Sequence, residues 1–293
     1  MKKLILVLLT AIIIVPTYSQ VVGGIHTKLA KYYAAEQWED CAFKADRMIL
    51  KDKYRNDAEV YLYLAASYNK IFLLGLVDTT LLKKVPEYAD AYKNALKYAK
   101  YAQKKDKKAG FYFPENNHML EEIAISGIYY IDHYISEGKV AKSGSYARKM
   151  MKAYTDLNIY FLHGVLCAMS GDAETANEVI DSVFTTMDNQ APNGLDNTKF
   201  MMLDGFDHYA HYLMSLEEPL KDSAINITNK GLKYFPDNEL LKWNLEWIKN
   251  PELETPKPKN SLKTAMLKDI AVTLPGDDSD DEEDDEEEYD EDE

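Results

Sequence analysis

His208 and His211 stand three residues apart in the stretch DGFDHYAH, with Asp204 and Asp207 nearby. Imidazoles one helical turn apart can share a cation, which makes this the most metal-like group in the chain. With His118 and neighbouring carboxylates it gives one alternative reading, a metal-dependent hydrolase or other enzyme on an all-helical fold. Counting back from Ala224, however, the two histidines take the places that Tyr160 and His163 hold in the preceding helix pair. Packing inside a hairpin is therefore preferred, and no residue is assigned to metal binding or catalysis. Glu121 and Glu122 are adjacent, so on a helix they point about 100° apart and do not converge on one proton. The chain has no glycine-rich phosphate loop, no GxSxG or HExxH motif, and no cysteine in a setting that would lower its pKa. Neither an enzyme nor a cofactor is expected.

Charge narrows the partners. The net charge is −15, but residues 277–293 alone carry fifteen acidic side chains and no basic one. Without them 34 acidic residues face 34 Lys and Arg, so the rest of the chain is neutral. Nucleic acid needs a concentrated basic face, and none is present beyond the local cluster Lys104, Lys105, Lys107 and Lys108. The acidic run lacks the glycine turn and spaced oxygens of a tight calcium loop. It is expected to be a disordered, solubilising tail, with at most weak, salt-sensitive binding of divalent cations or of a basic partner.

The elements that must position any site are helices. Leu157 to Val183 reads as two helices folded back on each other: Tyr160, His163, Gly164 and Cys167 share one face, and Ala176, Ile180 and Val183 share the other helix's face. Gly171 suits the helix exit and Asp172 can cap the next N-terminus. Gly164, Ala168 and Ala176 sit where two backbones must approach closely. Gly24 to Lys51 forms an earlier pair, with Trp38 at its turn. Asp57 to Leu74 carries Tyr61, Leu64, Ala65 and Tyr68 at helical spacing, and its mate Glu87 to Lys105 carries Tyr88, Ala91, Ala95 and Tyr98 after a long insert, Gly75 to Pro86. Past the aromatic segment GFYFP, Glu115 to Ile135 pairs with Lys139 to Tyr154. After the polar loop Asp188 to Asp196, Thr198 to Leu216 pairs with the helix from Pro219 to Tyr234, and Glu239 to Lys249 is a solitary closing helix. Pro251, Pro256 and Pro258 make 251–276 a linker, in which Ser261 to Ile270 has the spacing of a short helix, docked or loose. Cys41 and Cys167 read as buried apolar residues rather than a disulfide.

These hairpins resemble the tetratricopeptide repeat, a two-helix unit of about 34 residues. Two stretches carry the resemblance best: the large and small residues of Leu157 to Val183, and Ala224 followed twelve residues later by Pro236. The resemblance implies an all-α, right-handed α-solenoid of about five hairpins plus a closing helix across residues 20–250, binding a protein or peptide on its concave face. The first helices of the pairs line that face. The residues beside their packing stripes are the candidates for it: Leu62 and Asn69; Asn158, Phe161 and Val165; Phe206, Tyr209 and Leu213. Packing against a neighbouring hairpin is the competing role for the apolar ones. A glycan or small-ligand binder would place tryptophan in the groove, whereas Trp38, Trp243 and Trp247 fall at the two ends.

The first nineteen residues, two lysines ahead of an apolar run ending at Pro16, resemble a secretory signal cleaved after Ser19. The run is too short for a membrane span, and no later segment reads as apolar enough to be one. An exported, envelope-associated protein without a stable membrane span is expected. The tripeptides Asp181-Ser182-Val183 and Asp222-Ser223-Ala224 resemble the O-glycosylation acceptor of exported Bacteroidetes proteins, which requires Ser182 and Ser223 to face outward.

Overall fold

A computed structural model describes residues 21–109, 115–189 and 197–266. The signal-like start, the GFYFP segment, most of the 188–196 loop and the acidic tail lie outside the described residues. Within them the chain is helical and contains no strand. The helices are α1 (Thr27–Ala34), α2 (Trp38–Ile49), α3 (Ala58–Val77), the single turns α4 (Thr79–Leu82) and α5 (Pro86–Ala89), α6 (Ala91–Ala109), α7 (Asn117–Ser126), α8 (Ile128–Ser136), α9 (Val140–Ala153), α10 (Leu157–Met169), α11 (Ala173–Asn189), α12 (Lys199–Ser215), α13 (Lys221–Tyr234), α14 (Glu239–Lys249) and α15 (Ser261–Met266).

Helices adjacent in sequence pair, and each pair packs on the next: α1 with α2, α3 with α6, α7 and α8 with α9, α10 with α11, α12 with α13, and α14 against both members of the last pair. The 75–86 insert of the second pair is not a plain loop. α3 runs through Gly75 to Val77, and a Cβ on Gly75 would strike Leu82, so glycine there lets α4 lie against the helix. α4 and α5 then take up the remainder, and the second helix begins at Ala91 rather than Glu87. The expected single helix over 115–135 is broken at Gly127. There the Tyr92 hydroxyl donates to the Ile123 carbonyl at 3.1 Å, the acceptor a regular helix would offer to the Gly127 amide; that amide turns to Ala124 at 3.0 Å instead.

α10 is shared between two apolar cores. Ile159, Leu162 and Leu166 face the core of the first three pairs, while Phe161 and Val165 face the core built with α11, α12, α13 and α14. At its turn Gly171 adopts φ +90°, and Asp172 accepts from the Thr175 amide at 3.1 Å. A Cβ on Gly164 would lie 2.7 Å from Val179, so the α10–α11 approach depends on glycine. Asp156 starts α10 by accepting from the Asn158 and Ile159 amides, and the Thr198 hydroxyl donates to its other oxygen at 2.8 Å. Burial pushes the Asp156 carboxyl up, opposed by these donors.

One expectation from composition needs correcting. α3 is 20 residues long and contains an 18-residue window with a mean hydropathy of 1.4, enough to cross a membrane by length and composition. Its apolar window is 78% buried between α1, α2, α6 and α7, which accounts for an all-round apolar helix by packing within the chain. Cys41 and Cys167 are both buried free thiols, and burial raises the Cys41 thiol to about 11. Tyr61, Tyr68, Tyr88 and Tyr98 do form a packing stripe, with the Tyr68 and Tyr98 rings stacked at 5.8 Å.

Candidate functional site

A dense polar arrangement lies on α12, where Asp204, Asp207, His208 and His211 recur at turn spacing. It is organised by the chain's own C-terminal segment. Pro251, Pro256 and Pro258 keep residues 250–260 out of a helix, and the segment runs back over α12 before forming α15. The Trp243 indole of α14 donates to the Thr255 carbonyl at 2.8 Å. Lys257 then reaches Asp207 at 2.8 Å and the Nε2 of His211 at 3.1 Å. Asn260 donates to Asp204 at 2.8 Å and to the Phe200 carbonyl at 2.9 Å, while its own oxygen caps α15. Lys263 closes the run, donating to Asp204 at 2.8 Å and to Asp132 of α8 at 2.7 Å. One lysine therefore ties the C-terminal segment to two helix pairs.

The electrostatics follow from this pairing. Burial alone would raise the Asp207 carboxyl, but Lys257, His211 and Asn244 together bring it below its ordinary value. Burial, aided by Lys257, lowers His211, against the pull of Asp207. A lysine can only donate, so its bond to Nε2 is made when His211 is the neutral ring with its proton on Nδ1, while Asp207 lies 3.5 Å from the same nitrogen. That ring stacks on Trp247 with centroids 4.2 Å apart, and Trp247 lies parallel to Trp243 at 6.0 Å. Burial pushes Asp132 up although Lys263 opposes it, and Lys263 itself is raised because its two carboxylates outweigh burial.

The residues expected on the groove are placed differently. Leu62, Asn69, Asn158, Phe161, Val165, Phe206 and Leu213 are all buried, Phe161, Val165 and Phe206 completely. Tyr209 is half-buried and stacks on Tyr212. The correction has a simple cause: α3, α10 and α12 each touch several other helices, so residues beside the hairpin stripe meet the next pair instead of solvent. Phe161 packs on Phe206 at 4.6 Å, and Asn158 donates to Thr198 at 2.8 Å. Glu121 and Glu122 diverge as expected, the first taking Asn197 at 3.1 Å and the second pairing with Lys70.

Metal-ligand types gather elsewhere. Among the described residues, the one group of three His, Cys, Asp or Glu whose ligand atoms lie within 4.8 Å of one another is His26, Asp57 and Glu59. His118, His208 and His211 are not brought together in this way. Within the group, the two Glu59 oxygens accept the Ile25 and His26 amides, and His26 meets Asp57 at 2.6 Å. These bonds latch the segment before α1 onto the start of α3. Ser182 and Ser223 both stand exposed on second helices, α11 and α13, with the aliphatic residue after each turned inward.

Sequence reasoning had found the Asp204 to His211 stripe but not its occupants. Lys257, Asn260 and Lys263 sit in a proline-interrupted stretch without periodicity, and Asp132 is one acid among many. The hint that was present is a linker with four lysines, at 257, 259, 263 and 268, against three acids, just ahead of an acidic run. No protein-family model, no curated protein and no solved structure significantly matches this chain.

Proposed function

We propose that the chain is an exported scaffold of the tetratricopeptide type, a right-handed α-solenoid of five hairpins and a closing helix that binds a protein or peptide within an envelope assembly. On this reading it is no enzyme and uses no cofactor. The paired helices, their sequential stacking and the glycine-dependent close approaches support the architecture. One observation carries the binding role: a segment that is non-helical through Asn260 and helical from Ser261 lies along α12 and reaches α8, held by the Thr255 carbonyl, the Asn260 side-chain amide and two lysine–carboxylate pairs. The carbonyl is common to every peptide and the other three groups are lysine and asparagine side chains, so the face of these helices has the chemistry to receive a peptide that carries them.

The surface for a partner accordingly moves from the buried apolar residues to the carboxylates Asp132, Asp204 and Asp207 and the Trp243–Trp247 edge. The test is affinity capture from the native envelope by the full chain and by its Asp204→Asn, Asp207→Asn double variant, with folding checked by circular dichroism. A defined protein recovered with the parent and lost from the variant is the expected outcome. Equal recovery by both would remove this face from consideration.

A further inference from the structure

We infer that the Asp132, Asp204 and Asp207 strip is a recognition site for a segment bearing two lysines six residues apart, the first on non-helical chain and the second on a helical turn, and that residues 255–263 are its resident occupant, which an external ligand must displace. This deepens the scaffold reading above and rests on it.

The way the segment is held distinguishes an occupant from a structural cap. A cap that belongs to the core buries apolar surface, yet α15 buries no residue, and its apolar side chains Leu262 and Met266 are 38% and 40% exposed. The hydrophobic effect therefore holds it weakly. Its anchors are polar and charged: Thr255 through its carbonyl, Asn260 through its amide, Lys257 and Lys263 through their ammonium groups. The receiving carboxylates are the fixed half of the pairing. Asp204 and Asp207 have side chains only 8% and 11% exposed under the segment, and covering a carboxylate without a partner cation is costly.

A competing segment that supplies the same cations at the same spacing replaces every bond that is lost, so exchange requires no rearrangement of α8, α12 or α14. Asn260 sharpens the pattern, because its amide fills the Asp204 oxygen that Lys263 leaves and also reaches the Phe200 carbonyl. The ligand thus reads as a chain with lysine on a non-helical stretch, asparagine three residues on as the cap of a helical turn, and lysine three further within that turn.

The test uses the full chain and a fluorescent synthetic peptide spanning residues 254–266, read by anisotropy. A tethered occupant competes at roughly millimolar effective concentration, so removing its anchors unmasks the site for a micromolar ligand. The Lys257→Ala, Lys263→Ala variant is expected to bind the peptide at least about tenfold tighter than the parent chain. Binding should fall with salt, vanish for a peptide with both lysines changed to alanine, and vanish when Asp204→Asn is added to the variant. Equal affinity for parent and variant would overturn the inference. Hydrogen exchange of residues 255–263 in the parent chain gives a second measurement that needs no substitution: saturating peptide should accelerate it, and unchanged exchange at saturation would count against displacement. The two proposals fail separately. Peptide binding unmasked as described, with no envelope protein dependent on Asp204 and Asp207, would remove the scaffold reading alone; dependent capture without unmasking would remove only the resident occupant.

Discussion

Replacing Lys263 with methionine keeps the length of the side chain and deletes the cation that joins α8 to α12. Its ammonium lies 2.8 Å from Asp204 and 2.6 Å from Asp132, with side-chain exposures of 20%, 8% and 40% for the three groups. Breaking a fully buried pair from one side costs about 3–5 kcal/mol, because the abandoned charge stays dry. Here Asp132 already meets water and the segment can lift away, so hydration of Asp204 caps the loss at about 2 kcal/mol. For a chain of this size that lowers the melting midpoint by roughly 4–8 °C. Lys263 is raised above its ordinary 10.5, so its contribution is fully present at neutral pH and is lost as pH climbs through the folded value. The gap between parent and variant should therefore hold from pH 7 to about 10 and close above it. Thermal melts give the midpoint, and hydrogen exchange shows whether protection of residues 255–266 falls with it. A double variant with Asp204→Asn should lose less than the sum of the single losses, by about 1 kcal/mol. A midpoint within about 1 °C of the parent, with exchange unchanged, would refute the pairing as an anchor.

Burial lowers His163, helped by Arg148 and opposed by Asp172, and it lowers His211 beside Lys257, Asp207 and His208. A histidine held below 6.5 favours the folded state while neutral, so stability should fall as pH drops from 6.5 toward the folded values. Urea midpoints at pH 7.5 and 5 measure this, and His163→Gln with His211→Gln should flatten the difference; an unchanged pH dependence would contradict it. Phe161→Ala should cost about 3–5 kcal/mol by denaturant titration, since the ring is fully buried against Phe184 and Phe206; a loss under about 1 kcal/mol would return Phe161 to a partner surface. Intact mass of the protein from its native envelope should exceed the polypeptide by one or two glycans if Ser182 and Ser223 are acceptors, and Ser182→Ala with Ser223→Ala should restore the bare mass. A bare mass for the parent removes that resemblance.

Helix positions were legible in the residues because periodicity, glycine and capping act within a few positions. Leu157 to Val183 shows this: Gly171 takes the left-handed exit and Asp172 the cap, both local effects that tertiary context leaves alone. The break at Gly127 was not legible, since its cause is the hydroxyl of Tyr92 from another hairpin. The site was half legible. Asp204, Asp207 and His211 fall on one face by helical spacing alone, but spacing cannot say what covers a face.

The amino-acid sequence alone determined an all-helical chain, its hairpin pairing, its neutral body and its acidic end, because these depend on local backbone preference and on charge, which sum along the chain. Tertiary structure decided which side of each first helix meets solvent. Phe161 and Tyr160 are neighbours on α10, yet only packing against α11 and α12 settles that the phenylalanine is sealed and the tyrosine partly open. It also decided that Lys257 and Lys263 return to Asp207, Asp204 and Asp132: pairing across as many as 131 positions depends on where a proline-stiffened segment lands, which no local rule encodes.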